Sequence, residues 1–120
     1  MQTIRADASF NDLIALIRIG KRNLIAVVNE EHQLEGVINL DDIRPIMFNK
    51  ELYESMSIES VMTAPPAIIN MDDNMRNIVK KFDETATWTL PVVEKNRFIG
   101  FISKSSILNR YRQLLQEYSV

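Results

Sequence analysis

Cysteine and histidine, the residue types most often used for nucleophilic, acid–base and metal chemistry at neutral pH, are almost absent from this 120-residue chain. The chain has no cysteine, and its single histidine, His32, stands in the polar run 29–33, which is typical of a turn. Thiolate sites and disulfides are therefore excluded. A zinc site would need further histidine or cysteine ligands, and a catalytic triad would need a buried histidine, so both are improbable here. No glycine-rich phosphate loop and no nucleophile–base pair is present in the sequence. The sequence thus argues against an enzyme.

Composition and charge narrow the class of protein further. Apolar residues make up 46% and charged residues 25%, the balance of a soluble globular chain. Fourteen Lys and Arg against sixteen Asp and Glu give a net charge of −2, which argues against binding to nucleic acid. No apolar run approaches the ~18 residues of a membrane-spanning helix, and no signal peptide is evident. We therefore expect any membrane connection to lie outside these residues.

The chain repeats itself. A shift of 65 places residues 7–29 on 72–94 without a gap, and a shift of 64 then places 34–44 on 98–108, which brings Gly36 onto Gly100. Both copies have apolar residues at i, i+3, i+4 and i+7, the spacing of one helix face. The matched pairs are Phe10 and Met75, Leu13 and Ile78, Ile14 and Val79, and Ile17 and Phe82. The shared order of features predicts a duplicated unit.

The repeat predicts the helices and strands that must position any site. Helices are predicted at Ser9–Ile19, 57–62 and Asn74–Glu84, with closing helices that start near Leu40 and Lys104. The predicted strands are Thr3–Arg5, Leu24–Val28, Leu34–Ile38, Ala67–Asn70, Thr89–Glu94 and Phe98–Ile102. Ser9 and Asn74 are of the residue types that cap helices. Pro65 and Pro66 favour extended backbone, so we expect them to end the linking helix.

A unit of about 50 residues buries too little apolar surface to be stable alone, so we expect the two copies to pack together. The predicted fold class is α+β, with two β-α-β-β-α repeats packed sheet to sheet about a pseudo-two-fold axis. Repeat 1 is predicted at 1–50, a linker with a short helix at 51–66, and repeat 2 with a C-terminal helix at 67–120. Small ligands tend to bind in clefts at such an interface.

With this organisation the chain resembles a tandem pair of CBS domains, also called a Bateman module. The resemblance rests on the doubled pattern, on Leu90–Glu94 (LPVVE) and on Gly36–Ile43 (GVINLDDI), and it covers essentially the whole chain. The chain is also similar to the cytoplasmic C-terminal tail of bacterial ClC-type chloride channels. The segments that carry this narrower likeness are Leu40–Arg44, Ile46–Phe48, Leu52-Tyr53, Val61–Ala67 and Phe101–Ile107.

The resemblance implies an adenine nucleotide-type ligand between the copies: AMP, ADP, ATP or adenosine. One site would use Val37, Asn39, Asp41, Asp42, Thr63, Ala67, Thr87 and Trp88. Asp42 takes the place of the family's ribose-binding aspartate, and a carboxylate can accept two hydrogen bonds from a vicinal diol. The extra charge of Asp41 should make adenosine or a monophosphate better tolerated than a triphosphate. Alternatively, Asn39 only caps a helix, the two aspartates only favour its dipole, and Trp88 is a partly buried packing residue.

The resemblance implies a second, pseudo-symmetric cleft. Its residues would be Gln2, Lys21, Arg22, Asn23, Phe101, Ser103, Lys104, Ser105 and Ser106. Ser106 occupies the position of the ribose-binding aspartate, so this cleft lacks the ribose anchor. Hydroxyls, exposed amides and cations at a helix start would suit an anion. In the alternative interpretation Ser103 is a helix cap and the cations are solvated. We therefore expect one cleft to prefer a sugar and the other an anion.

The leading functional interpretation is a non-catalytic regulatory module that senses an adenine nucleotide-type ligand. The resemblance implies that it is the tail of a ClC-type chloride channel, at the cytoplasmic face of the membrane. Alternatives are a ligand-free structural dimerisation tail and a CBS module of another transporter or enzyme. The last helix carries an apolar stripe that is either core or, as terminal helices in CBS pairs imply, a homodimer contact. The stripe consists of Tyr111, Leu114, Leu115 and Tyr118.

Overall fold

The computed structural model describes residues 3–20 and 23–118, without the side chains at 111, 114, 115, 117 and 118. It divides into two compact units, Met1–Ala64 and Pro65–Val120. Each unit contains a three-stranded sheet with helices, which confirms the predicted α+β class. Several predicted functional residues lie outside the described residues: Gln2, Lys21, Arg22 and the side chains of Tyr111, Leu114, Leu115 and Tyr118.

The two units share one topology. The first contains β1 (Thr3–Arg5), α1 (Phe10–Ile19), β2 (Leu24–Val28), β3 (Leu34–Asn39), α2 (Leu40–Ile43), a 3₁₀ turn (Lys50–Leu52) and α3 (Ile58–Val61). The second contains β4 (Ile69–Asn70), α4 (Met75–Thr85), β5 (Thr89–Glu94), β6 (Arg97–Ser103) and α5 (Lys104–Tyr118). In each sheet the middle strand pairs in parallel with the first strand and antiparallel with the third. This common pairing confirms the duplication.

The strand register repeats as well. Ala26 lies opposite Val37 in the first sheet, and Pro91 lies opposite Phe101 in the second. Each antiparallel pair has its register shift at the equivalent place, after Val27 in one sheet and after Val92 in the other. The sequence offsets of 65 and 64 therefore relate residues that hold the same position in the two sheets.

Caps and apolar faces explain the first helix of each unit. Ser9 caps α1 in a capping box with Asp12, with bonds of 3.1 and 3.2 Å, and the Asn74 side chain caps α4. The apolar face of α1 is buried in the first core together with residues of β1 and β2. The apolar face of α4 packs in the second core, where Phe82 is buried. The buried face of α1 consists of Phe10, Leu13, Ile14 and Ile17. The predicted helices and their caps are thus confirmed.

The first strand of the second unit is shorter than predicted. It begins at Ile69, whereas the sequence predicted a start at Ala67. In the first unit, parallel pairing includes Thr3 opposite Ala26, but Pro91 occupies the Ala26 position in the second unit. Proline has no amide hydrogen to donate, so it cannot extend the ladder there. Ala67 instead packs, half-buried, against the second core.

The two closing helices differ in length. Helix α2 is four residues long and α5 is fifteen. Pro45 follows α2 and cannot continue its hydrogen-bonding pattern. The chain then turns back over the first unit, where Tyr53 and Ile58 join the buried core. Most of the segment predicted as a linker therefore packs within the first unit.

Candidate functional site

The end of β3 lies beside the segment that follows α3. The Val37 amide donates to the Thr63 carbonyl and the Thr63 amide donates to the Val37 carbonyl, both at 2.8 Å. A Cβ on Gly36 would lie 3.1 Å from both Met62 Sδ and the Thr63 carbonyl oxygen, so glycine permits this approach. The Thr63 residue is exposed. The structure therefore brings together Val37 and Thr63, two residues predicted for one site.

Three further predicted residues stand where β3 passes into α2. The Asn39 side chain accepts a hydrogen bond from the Asp41 amide at 3.0 Å, which confirms the capping interpretation for Asn39. The Asp41 carboxylate pairs with Arg44 at 3.0 Å. The Asp42 carboxylate is exposed and makes no ion pair with any residue that the structure describes. Asp42 therefore keeps its acceptor oxygens available, whereas the charge of Asp41 is offset.

Two equivalent backbone hydrogen bonds involve residues that the sequence predicted for the second cleft, and one of these bonds reaches Trp88 of the first set. The Leu40 amide, at the start of α2, donates to the Asn23 carbonyl at 2.8 Å. At the equivalent place in the second unit, the Lys104 amide donates to the Trp88 carbonyl at 2.7 Å. Asn23 and Lys104 had been predicted for the second cleft, but each contacts a residue in or beside the first set. Sequence position alone could not show these contacts.

Trp88 is an exposed ring on the second unit. Its residue is 74% exposed, so the interpretation of Trp88 as a partly buried packing residue is wrong. The Lys104 ammonium lies 5.4 Å from the ring centroid, a cation–π arrangement. Neighbouring Thr87 bonds through its hydroxyl to the Thr85 hydroxyl at 2.8 Å. The indole is therefore largely exposed, with the Lys104 ammonium over its ring.

The serine cluster at the start of α5 is bonded within itself. Ser103 Oγ accepts from the Ser106 amide at 3.3 Å and donates to Ser106 Oγ at 2.8 Å, and it lies 3.3 Å from Ser105 Oγ. Lys104 Nζ lies 3.7 Å from Asp83. These contacts show Ser103 acting as a helix cap. The anion site predicted here stays a prediction.

Phe101, the remaining residue of the predicted second cleft, packs against Phe98. Their ring centroids are 5.1 Å apart, with the planes tilted by 64°. The Phe101 residue is half-buried on β6. The described contacts of its side chain are thus those of an aromatic packing pair.

The most tightly held carboxylate in the second unit was not predicted. Asp73 Oδ2 lies 2.6 Å from Lys81 Nζ and accepts from the Asn70 amide at 2.9 Å. The hydrogen bond from Lys81, aided by the Asn70 amide, holds the pKa of Asp73 below its ordinary value of 3.8. Lys81 also donates to the Ile68 carbonyl at 2.6 Å. This network fastens β4 to α4, and no local sequence motif marks it.

Neither metal chemistry nor a membrane span is indicated within the described residues. No group of three or more His, Cys, Asp or Glu side chains there could hold a metal ion. Across the same residues, none of the helices combines the length and the apolar character that crossing a bilayer requires. An open concavity of about 560 Å³ near Asn70 and Asn96 contains none of the residues predicted for ligand binding.

Comparison with known proteins identifies the family. The CBS domain profile matches residues 1–48 and 58–113. The choline transport ATP-binding protein OpuBA of Bacillus subtilis (strain 168) is 25% identical over 108 residues, which are 89% of this chain. The match covers 27% of OpuBA, so the chain spans about a quarter of that relative's length.

Solved structures of other proteins share the fold, among them two in complex with a nucleotide. The structure of CBSX2 in complex with AMP has a TM-score of 0.74 at 21% identity, covering 95% of this chain and 89% of that one. The CBS domain of the bacterial CNNM/CorC family Mg²⁺ transporter, in complex with ATP, has a TM-score of 0.76 at 18% identity, with 91% and 77% covered. These comparisons do not show the narrower likeness to ClC channel tails. Because the profile matches most of both repeats, the chain belongs to the CBS domain family and is a pair of CBS domains.

Proposed function

We propose that this CBS pair is a non-catalytic regulatory module that binds an adenosine-type ligand and is attached to a membrane transporter. Similar structures were solved in complex with AMP and with ATP. The curated relative is an ATP-binding protein of choline transport, and one structural neighbour comes from a Mg²⁺ transporter. These relatives support a nucleotide ligand and a transporter, and with them a place at the cytoplasmic face of the membrane.

The arrangement at the end of β3 is the observation that carries the proposal. The Val37–Thr63 bridge places an exposed hydroxyl-bearing residue at the strand that leads to Asn39 and Asp42. The Asp42 carboxylate has no ionic partner among the described side chains, so it can accept a hydrogen bond from each of the two hydroxyls of a ribose. The Arg44 guanidinium lies 3.0 Å from the Asp41 carboxylate and offsets its negative charge. Asp41 should therefore repel the phosphate of a bound monophosphate less strongly than the sequence alone predicted.

The ligand would act by changing an equilibrium between states of the attached transporter. Such regulation requires that the ligand bind one state more tightly than the other. A ClC-type channel as the attached transporter, and assembly of the module as a homodimer, stay predictions from the sequence. The comparisons support attachment to a transporter of unspecified type.

Calorimetric titration of the full chain with adenosine, AMP, ADP and ATP tests the proposal. Hydrogen bonds to a charged group contribute about 1.5–3 kcal/mol, so Asp42→Asn should weaken adenosine binding about 10- to 150-fold. The same loss is expected when the unaltered chain is titrated with 2′,3′-dideoxyadenosine, which lacks the diol. Glu54→Gln, which neutralises another exposed carboxylate, is the matched control and should leave affinity unchanged. Equal affinities of the Asp42→Asn and unaltered chains would show that Asp42 does not bind ribose.

Trp88 offers an independent optical readout because it is the only tryptophan. Stacking of an adenine on its exposed ring should quench its fluorescence. A uridine titration provides the control for non-specific quenching.

A ligand-free dimerisation tail is the second candidate function. The closed serine cluster around Ser103 and the serine at position 106 favour it, because the second cleft then has no ribose carboxylate. A reproducible rise in melting temperature with any adenine nucleotide would count against this candidate, since only a ligand of the folded state stabilises it.

A further inference from the structure

Trp88 and Lys104 are joined through both backbone and side chain. The Lys104 amide donates to the Trp88 carbonyl at 2.7 Å, which places the start of α5 beside the residue before β5. The Lys104 ammonium lies 5.4 Å from the centroid of the Trp88 ring and 3.7 Å from Asp83 Oδ1. Only 25% of the Lys104 side chain is exposed, whereas 74% of Trp88 is. The lysine is thus held close to a ring that is largely open to water.

The first unit has the same backbone contact without these side chains. There the Leu40 amide donates to the Asn23 carbonyl at 2.8 Å. The sequence offsets match Asn23 with Trp88, Leu40 with Lys104, and Arg18 with Asp83. The backbone contact therefore belongs to the shared fold, whereas the fold does not require a ring, an ammonium and a carboxylate at this place.

The position of the ammonium decides what a ligand on the ring must displace. Stacked aromatic rings have their centroids about 4.5–7 Å apart. The Lys104 ammonium lies within that range of the Trp88 centroid, so a ligand that stacks on this face competes with it. Displacing the ammonium loses its attraction to the indole. A neutral ligand gives the ammonium no new partner, whereas an anionic group on the ligand gives it a charge-assisted hydrogen bond.

We propose that Lys104 makes the Trp88 ring selective for planar aromatic ligands that carry an anionic group. The ammonium moves from the ring to the ligand's anion, so a neutral ligand binds more weakly than its anionic counterpart. Asp83 reduces this selectivity, because its carboxylate competes for the same ammonium and repels the incoming anion. If the ligand is of the adenosine type proposed above, and this clause alone rests on that proposal, Lys104 favours the nucleotide over the bare nucleoside.

Fluorescence quenching of Trp88 by two matched xanthines tests the proposal in the full chain, where Trp88 is the only tryptophan. Caffeine is neutral, and theophylline-7-acetate has the same ring system with a carboxylate on the N7 methyl group. The measured quantity is the ratio of the two association constants, anionic over neutral, so a change in ring exposure affects both alike. Lys104→Met should lower this ratio about two- to fivefold, the range that exposed ion pairs contribute.

Two further variants separate this role from a structural one. Asp83→Asn should raise the ratio, because the ammonium loses its competing carboxylate. The two members of one ion pair thus have opposite effects, which the mere loss of a stabilising contact would not produce. Lys95→Met removes another exposed lysine, at the opposite end of β5, and is the matched control that should leave the ratio unchanged.

Four results would overturn the proposal: equal ratios for Lys104→Met and the unaltered chain, a ratio lowered by Asp83→Asn, an equal loss in Lys95→Met, or no association of either xanthine with Trp88. The last result would show that the ring accepts no aromatic ligand. Neither xanthine has a ribose or a phosphate, so the outcome does not depend on Asp42. Failure of adenosine to bind in calorimetry would therefore be a separate finding.

Discussion

The ion pair between Lys81 and Asp73 should be the most valuable polar contact of the second unit, and Lys81→Met is the change that tests it. Lys81 Nζ lies 2.6 Å from both Asp73 Oδ2 and the Ile68 carbonyl oxygen. Both side chains of the pair are largely shielded from water, with 29% of Lys81 and 16% of Asp73 exposed. Methionine keeps an unbranched apolar stem as far as the ε position of lysine but removes the charge and both hydrogen bonds.

The expected cost follows from this partial burial. Exposed ion pairs contribute up to about 1 kcal/mol, whereas removing one partner of a fully buried pair costs about 3–5 kcal/mol. The Lys81 pair lies between these limits, and two charge-assisted bonds are lost, so Lys81→Met should lower the free energy of unfolding by about 2 kcal/mol. Lys80, on the same helix, is 69% exposed and lies 3.7 Å from Glu84. Lys80→Met should cost less than about 0.5 kcal/mol.

Urea denaturation followed by circular dichroism measures both variants against the unaltered chain. The pH dependence supplies a second readout. The pKa of Asp73 is lowered in the folded state, chiefly by Lys81, so the stabilisation is present above its ordinary value of 3.8. It is lost as pH falls through the folded-state pKa. The difference between the unaltered chain and Lys81→Met should therefore be full at neutral pH and shrink below about pH 4.

Equal losses for Lys81→Met and Lys80→Met at neutral pH would refute this reasoning. So would a difference that persists unchanged after the carboxylates are protonated, because the lost stability would then come from the bond of Lys81 to the Ile68 carbonyl and not from the pair with Asp73.

Further predictions concern caps, core and strand edge. Ser9→Ala should cost about 1 kcal/mol in urea unfolding, because the Asp12 amide loses its bond to the Ser9 hydroxyl. Phe82→Ala, at a residue 1% exposed, should cost about 3–5 kcal/mol, whereas Phe48→Ala, at 88% exposed, should stay within about 0.5 kcal/mol. Gly36→Val should push Thr63 off β3 and speed exchange of the Thr63 amide; unchanged exchange would mean that the segment shifts without unpairing.

Local patterns predicted the regular elements of this protein well. The strand Leu24–Val28 and the helix starts at Leu40 and Lys104 were confirmed to the residue. Apolar spacing, capping side chains and glycine positions are set by neighbours close in the chain, so they can be read without the fold. The repeat then indicated the family, which the CBS profile confirmed.

The candidate site was predicted less completely. Asn39 was confirmed as a cap, and Val37 and Thr63 were found together, but the contact of Trp88 with Lys104 was not foreseen. A short run of residues does not tell which side of a strand the next segment will cover. The role of Asp42 stays a prediction until a ligand is tested.

The order of strands, helices and caps, together with the duplication that relates them, follows from the sequence by itself, since each depends on short-range spacing and backbone preference. Only the tertiary structure decided that β4 starts late beside Pro91, that Lys81 reaches Asp73 and the Ile68 carbonyl, and that the edge of one repeat is paired at Thr63. These features depend on contacts between segments distant in the chain, whose formation rests on packing geometry that no local pattern encodes.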